Sequence, residues 1–288
     1  MRRAIARIGL ISLGLLVSMA NAQQLRAPAQ VTAGKDFSIS TNGSGDGTFY
    51  LLGPAHAAKR EIKFGAEIQI EGAEIEKAGQ YTAITCAGSQ CDSAIINVQP
   101  DVASRVSLIV HPSRVRVAEP NAISAVAFVF DKYHNLVLSS QPVQFEVTPS
   151  DGAVVKADRP SSDGVAWVRL TSATKEGPTK IGASVGNNSE VRVVRQVASD
   201  ACNLRIKAQS AGKKLVVETD PVRDCSGNAV PDGTVVSFTQ VGPNGKTTVD
   251  APVKKGIARV ELPVTGPSRI TVASGVVTGN ELSVGGRP

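Results

Sequence analysis

Three short blocks recur in this 288-residue chain, in the same order and at similar spacing. Asp131-Lys-Tyr-His-Asn135-Leu-Val137 is answered by Asp224-Cys-Ser-Gly-Asn228-Ala-Val230, and in each copy a Phe follows the Asp by fourteen residues, at Phe145 and Phe238. Gly164-Val-Ala-Trp-Val-Arg-Leu170 is answered by Gly256-Ile-Ala-Arg-Val-Glu-Leu262, and Gly177-Pro-Thr-Lys-Ile181 by Gly266-Pro-Ser-Arg-Ile270. What persists is turn formers and alternating apolar positions. That is the mark of one domain present twice, and it restricts the chain to folds that can be strung in series.

The blocks also name the secondary structure. VQFEV (143 to 147), VAWVRL (165 to 170), VVSFTQV (235 to 241) and IARVEL (257 to 262) alternate with period two, as half-buried strands do. EIKFGAEIQIE (61 to 71) reads as one further strand with Ile62, Phe64, Ala66, Ile68 and Ile70 on its dry side. PSDG, SSDG, GPNG and VTGP punctuate the runs, and helical periodicity is almost missing. Many short strands with such turns predict an all-β chain of sandwiches.

The pattern D-x-x-G-N-x-V, a V-x-F strand, G-[VI]-A-x-V-x-L and a late Gly before a strand resembles the bacterial immunoglobulin-like domains of the invasin and intimin group, over residues 103 to 288. His134 stands where that group usually has Gly, and Leu136 and Ala229 where it often has Pro. Residues 23 to 99 form a divergent third unit. Lys77-Ala-Gly79-Gln-Tyr81-Thr-Ala83 resembles the A-G-x-Y segment of immunoglobulin-like domains, whose Tyr hydroxyl ties back to nearby backbone. The expectation is three tandem immunoglobulin-like β-sandwiches, at 23–99, 103–196 and 201–288.

Residues 1–22 carry Arg2, Arg3 and Arg7, an apolar run from Ile8 to Met19, and Ala20-Asn21-Ala22, which is the layout of a cleaved signal peptide. The run is short for a bilayer span, and no later stretch is apolar enough for one. A periplasmic or secreted mature chain follows. Removing the leader takes Lys+Arg from 31 to 28 against 25 acids, a net charge of +3 rather than +6. So modest a balance, without a basic stripe interleaved with aromatics, argues against a nucleic-acid partner.

Four Cys in an exported chain point to two disulfides, with three pairings open. Cys86 with Cys91 and Cys202 with Cys225 are favoured, because each pair then lies within one domain. The chain-entropy contributions are about 2 kcal/mol for the short loop and about 3.4 kcal/mol for the longer one.

Asp131 to Val137 holds an Asp, a Tyr, a His and an Asn, and invites a catalytic reading. The second copy keeps Asp224, Asn228 and Val230 but replaces Tyr133 by Ser226 and His134 by Gly227, so the shared letters are those of a turn, with His134 at its tip at positive φ. His56, His111 and His134 show no zinc-type spacing, and no G-x-S-x-G elbow is present. No catalytic residues, cofactor or metal are predicted. A calcium site at the junctions, from Asp101 and Asp200 with Asp131 and Asp224, is the weaker alternative to solvated linker acids.

Trp167 is the candidate interaction residue. In its strand Ala166, Val168 and Leu170 are the apolar set, so Trp167 and Arg169 point away from the core. Large outward aromatics suit a protein or glycan partner at the cell envelope or surface. The function expected is a non-catalytic binding or adhesion protein. The alternatives are a structural spacer or assembly subunit of an envelope complex, and an accessory module of polysaccharide-processing machinery.

Overall fold

The computed structural model describes residues 25–150, 152–264 and 266–285, so the leader 1–22 lies outside the described residues. Among the described residues the regular structure is strand apart from a 3-10 turn at Gly72–Ile75, and the chain divides into two units after Gln99.

In the first unit, strands Leu25–Arg26, Phe37–Thr41 and Glu67–Ile70 form one sheet. The other holds Gln30–Thr32, Gln90–Gln99, Gly79–Ala87, Asp46–Gly53 and His56–Lys63 in that spatial order. Gln30–Thr32 runs parallel to the end of Gln90–Gln99, and every other pairing is antiparallel. Phe49, Leu51, Tyr81 and Ile96 from one sheet and Ile39, Ile68 and Ile70 from the other are buried. The expected single strand over 61–71 is instead two. The chain turns at Phe64 and Gly65, where Gly65 takes φ 85°, and the two pieces belong to opposite sheets. Alternation on both sides of the turn hid it, since the first piece alternates half-buried with exposed residues and the second buried with exposed ones, while Ala66, expected on the dry side, is exposed at the turn.

The second unit contains two sandwiches with separate cores. In the first, strands Arg105–His111, Ile123–Phe130 and Val165–Leu170 face a sheet of Arg114–Arg116, Asn188–Val197, Gly177–Val185, Pro142–Thr148 and Val155–Pro160. Arg114–Arg116 lies parallel to Asn188–Val197, repeating the split first strand of the opening unit. In the second, Ile206–Ala211, Lys214–Thr219 and Arg259–Pro263 face Gly245–Pro252, Val235–Gly242 and Ser268–Ser274, with Val277–Thr278 and Leu282–Val284 on the last of these. Phe145 and Phe238, the repeat's equivalent aromatics, are each fully buried in their own cluster. Truncating a buried Phe costs about 3–5 kcal/mol, which explains why this position is shared.

Candidate functional site

The Asp131 stretch is a turn built on one carboxylate. Asp131 Oδ1 accepts from the Tyr133 and Asn135 amides at 2.9 and 2.8 Å. Its Oδ2 accepts from Asn135 Nδ2 at 2.8 Å and from the Asp101 amide at 2.9 Å. Asp224 repeats this atom for atom: Ser226 and Asn228 amides on Oδ1, Asn228 Nδ2 and the Ser199 amide on Oδ2. The fourth donor in each case comes from the segment that leads into the sandwich, so each Asp fastens its own connection. Burial works to raise both pKa values, but the bonds from Asn135, Asp101 and Tyr133, and from Asn228, Ser199 and Ser226, outweigh it and hold both carboxyls below their ordinary range.

His134 sits at φ 65° where Gly227 has φ 84°, and its Nε2 accepts from Arg105 Nη1 at 3.0 Å. His111 ends the strand that Arg105 begins, about 20 Å away at strand rise. His56, in the first unit, lies 3.5 Å from Glu74 Oε1, which also takes the Arg60 guanidinium. Within the second unit, His111 and His134 are not brought together. The junction acids take protein partners as well: Lys132 Nζ is 3.7 Å from Asp101 and Arg116 Nη1 is 2.8 Å from Asp200. Among the described residues no group of three or more His, Cys, Asp or Glu gathers as a metal site would require. Disulfides join Cys86 to Cys91 across a hairpin and Cys202 to Cys225 at the entrance to the last sandwich.

Tyr81 is buried, and its hydroxyl bonds the Lys77 backbone; burial raises its pKa and that bond only partly offsets the rise. Its ring lies on Gly53, where an added Cβ would come within 2.1 Å of Cε1.

The surface that separates the two repeated sandwiches is the outer face of their three-stranded sheets. In the last sandwich, register places Lys207, Glu218 and Arg259 in one row across that face, with Lys207 and Glu218 3.2 Å apart. Glu261 meets Lys214 at 2.6 Å beside it. The row is charged, and Lys207 and Glu218 pair within it. In the preceding sandwich the equivalent row is Ile109, Val126 and Trp167. Ile109 is 57% exposed and Trp167 64%, with Phe128 and Phe130 stacked in the next positions along the middle strand. Outward positions of this sheet include Arg105, His111 and Arg169 and no acidic residue. A shallow cleft of about 450 Å³ runs beside Trp167, bounded by Arg159 and Pro160 of one sheet and by Val165 to Arg169 of the other.

The comparisons with solved structures match this architecture. The adhesin FdeC of Escherichia coli superposes with a TM-score of 0.62 at 15% identity, over 87% of this chain and 91% of that one. The fold is that of the bacterial immunoglobulin-like domains of the invasin and intimin group. InvD of Yersinia pseudotuberculosis superposes at 0.50 with 10% identity, over 91% of this chain and 96% of that one. An integrin-binding bacterial invasin aligns more loosely, at 0.47 and 13% identity over 88% of this chain and 56% of its own. No family model matches the chain, and no curated protein matches it in sequence. The Asp131 and Asp224 carboxylates account for the turn motif that the two repeated sandwiches share, whereas Trp167 and its row belong to one copy alone.

Proposed function

We propose that this chain is an exported, non-catalytic binding or adhesion protein, with immunoglobulin-like sandwiches over 23–99, 103–196 and 201–288. Its partner is a protein or glycan at the cell envelope or on another cell's surface. The partner-facing residue is Trp167. The observation that carries this reading is the contrast between copies. At equivalent positions one sheet carries charges, of which Lys207 and Glu218 pair, while the other is apolar, with Ile109 and Trp167 exposed on either side of a half-buried Val126. An apolar row in water costs about 25 cal/mol per Å² of surface it could bury, and centrally placed aromatics dominate binding energies. The adhesin character of the FdeC neighbour and the two disulfides support the same compartment and role.

The test is capture of the purified chain on immobilised extracellular-matrix and envelope preparations. Saturable capture that Trp167→Ala abolishes supports the reading, and capture unaltered by that change removes it.

A second reading, a spacer or assembly subunit of an envelope complex, draws support from the bonded junction within the second unit. Asn228 Nδ2 donates to the Thr174 carbonyl at 2.8 Å and Asn228 Oδ1 accepts from the Glu176 amide at 3.2 Å. It predicts a stable complex recoverable by cross-linking and pull-down. Recovery of the monomer alone counts against it.

A further inference from the structure

Strand Val165–Leu170 is an edge: it pairs with Ile123–Phe130 on one side only. The Val129 amide donates to the Gly164 carbonyl at 2.8 Å, which fixes the phase of that ladder. Bonded residues alternate, so Ala166, Val168 and Leu170 turn their backbone groups inward to the sheet. The N–H and C=O of Trp167 and Arg169 therefore face the open side. Val165 is already closed by Ser162, through bonds of 2.9 and 3.0 Å. Two consecutive alternate residues thus offer donor and acceptor pairs at strand spacing along the cleft, whose volume lies in the range of ligand-binding clefts.

The cleft's charge is of one sign. Arg159 stands on one lip and Arg169 on the other, and among the described residues no Asp or Glu lines it. Among the described residues neither guanidinium has a carboxylate within 4.0 Å; Arg159 Nη1 donates only to the neighbouring Asp158 carbonyl at 2.8 Å. In the last sandwich the residue equivalent to Arg169 is Glu261, already neutralised by Lys214.

We infer that the edge of Val165–Leu170 takes an acidic peptide segment in extended form, as an added strand: its backbone pairs with Trp167 and Arg169, its carboxylates reach Arg159 and Arg169, and Trp167 covers one of its side chains. This deepens the proposed binding role and rests on it. Unpaired strand edges are templates for such addition, with backbone bonds giving affinity and flanking side chains giving specificity. A peptide fits better than a carboxylated glycan, because the donors and acceptors here are amide groups at strand periodicity.

Trp167 is the single tryptophan of the chain, so its emission reports on this cleft alone. The mature chain is titrated with a short capped peptide alternating glutamate with threonine. Expected is a saturable change in emission that added salt weakens and that Arg159→Glu and Arg169→Glu each weaken by about fivefold. A peptide of the same sequence with its pairing amides N-methylated should give no change. Equal binding of the N-methylated peptide, or of a lysine-for-glutamate peptide, overturns the inference. A response to polygalacturonate but not to the peptide overturns it in favour of an acidic glycan. If the peptide gives no response while Trp167→Ala still abolishes capture by matrix or envelope preparations, the acidic-strand inference falls and the binding face stands. Capture that survives Trp167→Ala removes the binding face, whatever the peptide does.

Discussion

Asn228 belongs to the turn of the last sandwich, yet its side chain closes both ends of a loop in the preceding one, donating to Thr174 O and accepting from Glu176 N. The same Nδ2 also donates to Asp224 Oδ2 at 2.9 Å. With Asn228 buried, these bonds join two sandwiches through a side chain whose position its own turn fixes. Asn228→Ala should cost about 2–3 kcal/mol through the polar groups it strands. Hydrogen exchange should show the Glu176 amide losing protection before the sheet amides of Gly177–Val185 do. Unchanged protection at Glu176 would mean the junction is held by other contacts.

The two depressed carboxyls set an acid limit. Both Asp131 and Asp224 have folded pKa values below the ordinary one, so as pH falls the unfolded chain binds the protons first. The stability they confer is present in full above about pH 5 and is lost as pH drops through the folded values, below about pH 4. Urea unfolding of the native chain should therefore be flat from neutrality to about pH 5 and weaken below about pH 4. Asp224→Asn should lower stability at neutral pH by about 2 kcal/mol and flatten the acid limb. A native chain whose stability rose on acidification through this window would contradict the turn chemistry.

Trp167→Ala should leave folding untouched. The side chain is 64% exposed and outside the core, so its change in stability belongs within about 0.5 kcal/mol. Thermal melting of the variant checks this, and a loss of several degrees would make its binding defects uninterpretable as surface effects.

Tyr81 and Gly53 make the opposite case. Tyr81→Phe deletes only the bond to the Lys77 backbone and should cost about 1 kcal/mol. Gly53→Ala drives a methyl into the ring and should cost about 3 kcal/mol, as overpacking does. Equal effects from the two would mean that the ring does not lie on Gly53.

The sandwich architecture and the turn at Asp131 were legible because their determinants are local. Alternation marks strands, and Asp with Asn four residues on marks a turn whose bonds close within itself. Positive φ at His134 followed from Gly227 in the other copy. The split of 61–71 between sheets was hidden because both pieces carry the same alternation. Asn228's reach to Thr174, fifty-four residues away, has no local signature. Trp167's outward direction could be read from its own strand, whereas the row with Ile109 and Val126 depends on the registers of two further strands, which alternation alone leaves free.

The Cys202–Cys225 bridge has a mechanical consequence. Tension entering the last sandwich through its leading segment arrives at Cys202 and passes through the sulfurs to Cys225, leaving out the chain between them, residues 203 to 224. Strands Ile206–Ala211 and Lys214–Thr219 hang in that covalent bypass and cannot be drawn out by a pull on the chain ends while it is intact. A molecule tethered at one end and gripped at the other would keep two of that sheet's three strands out of the load path, and a reducing agent would put them back.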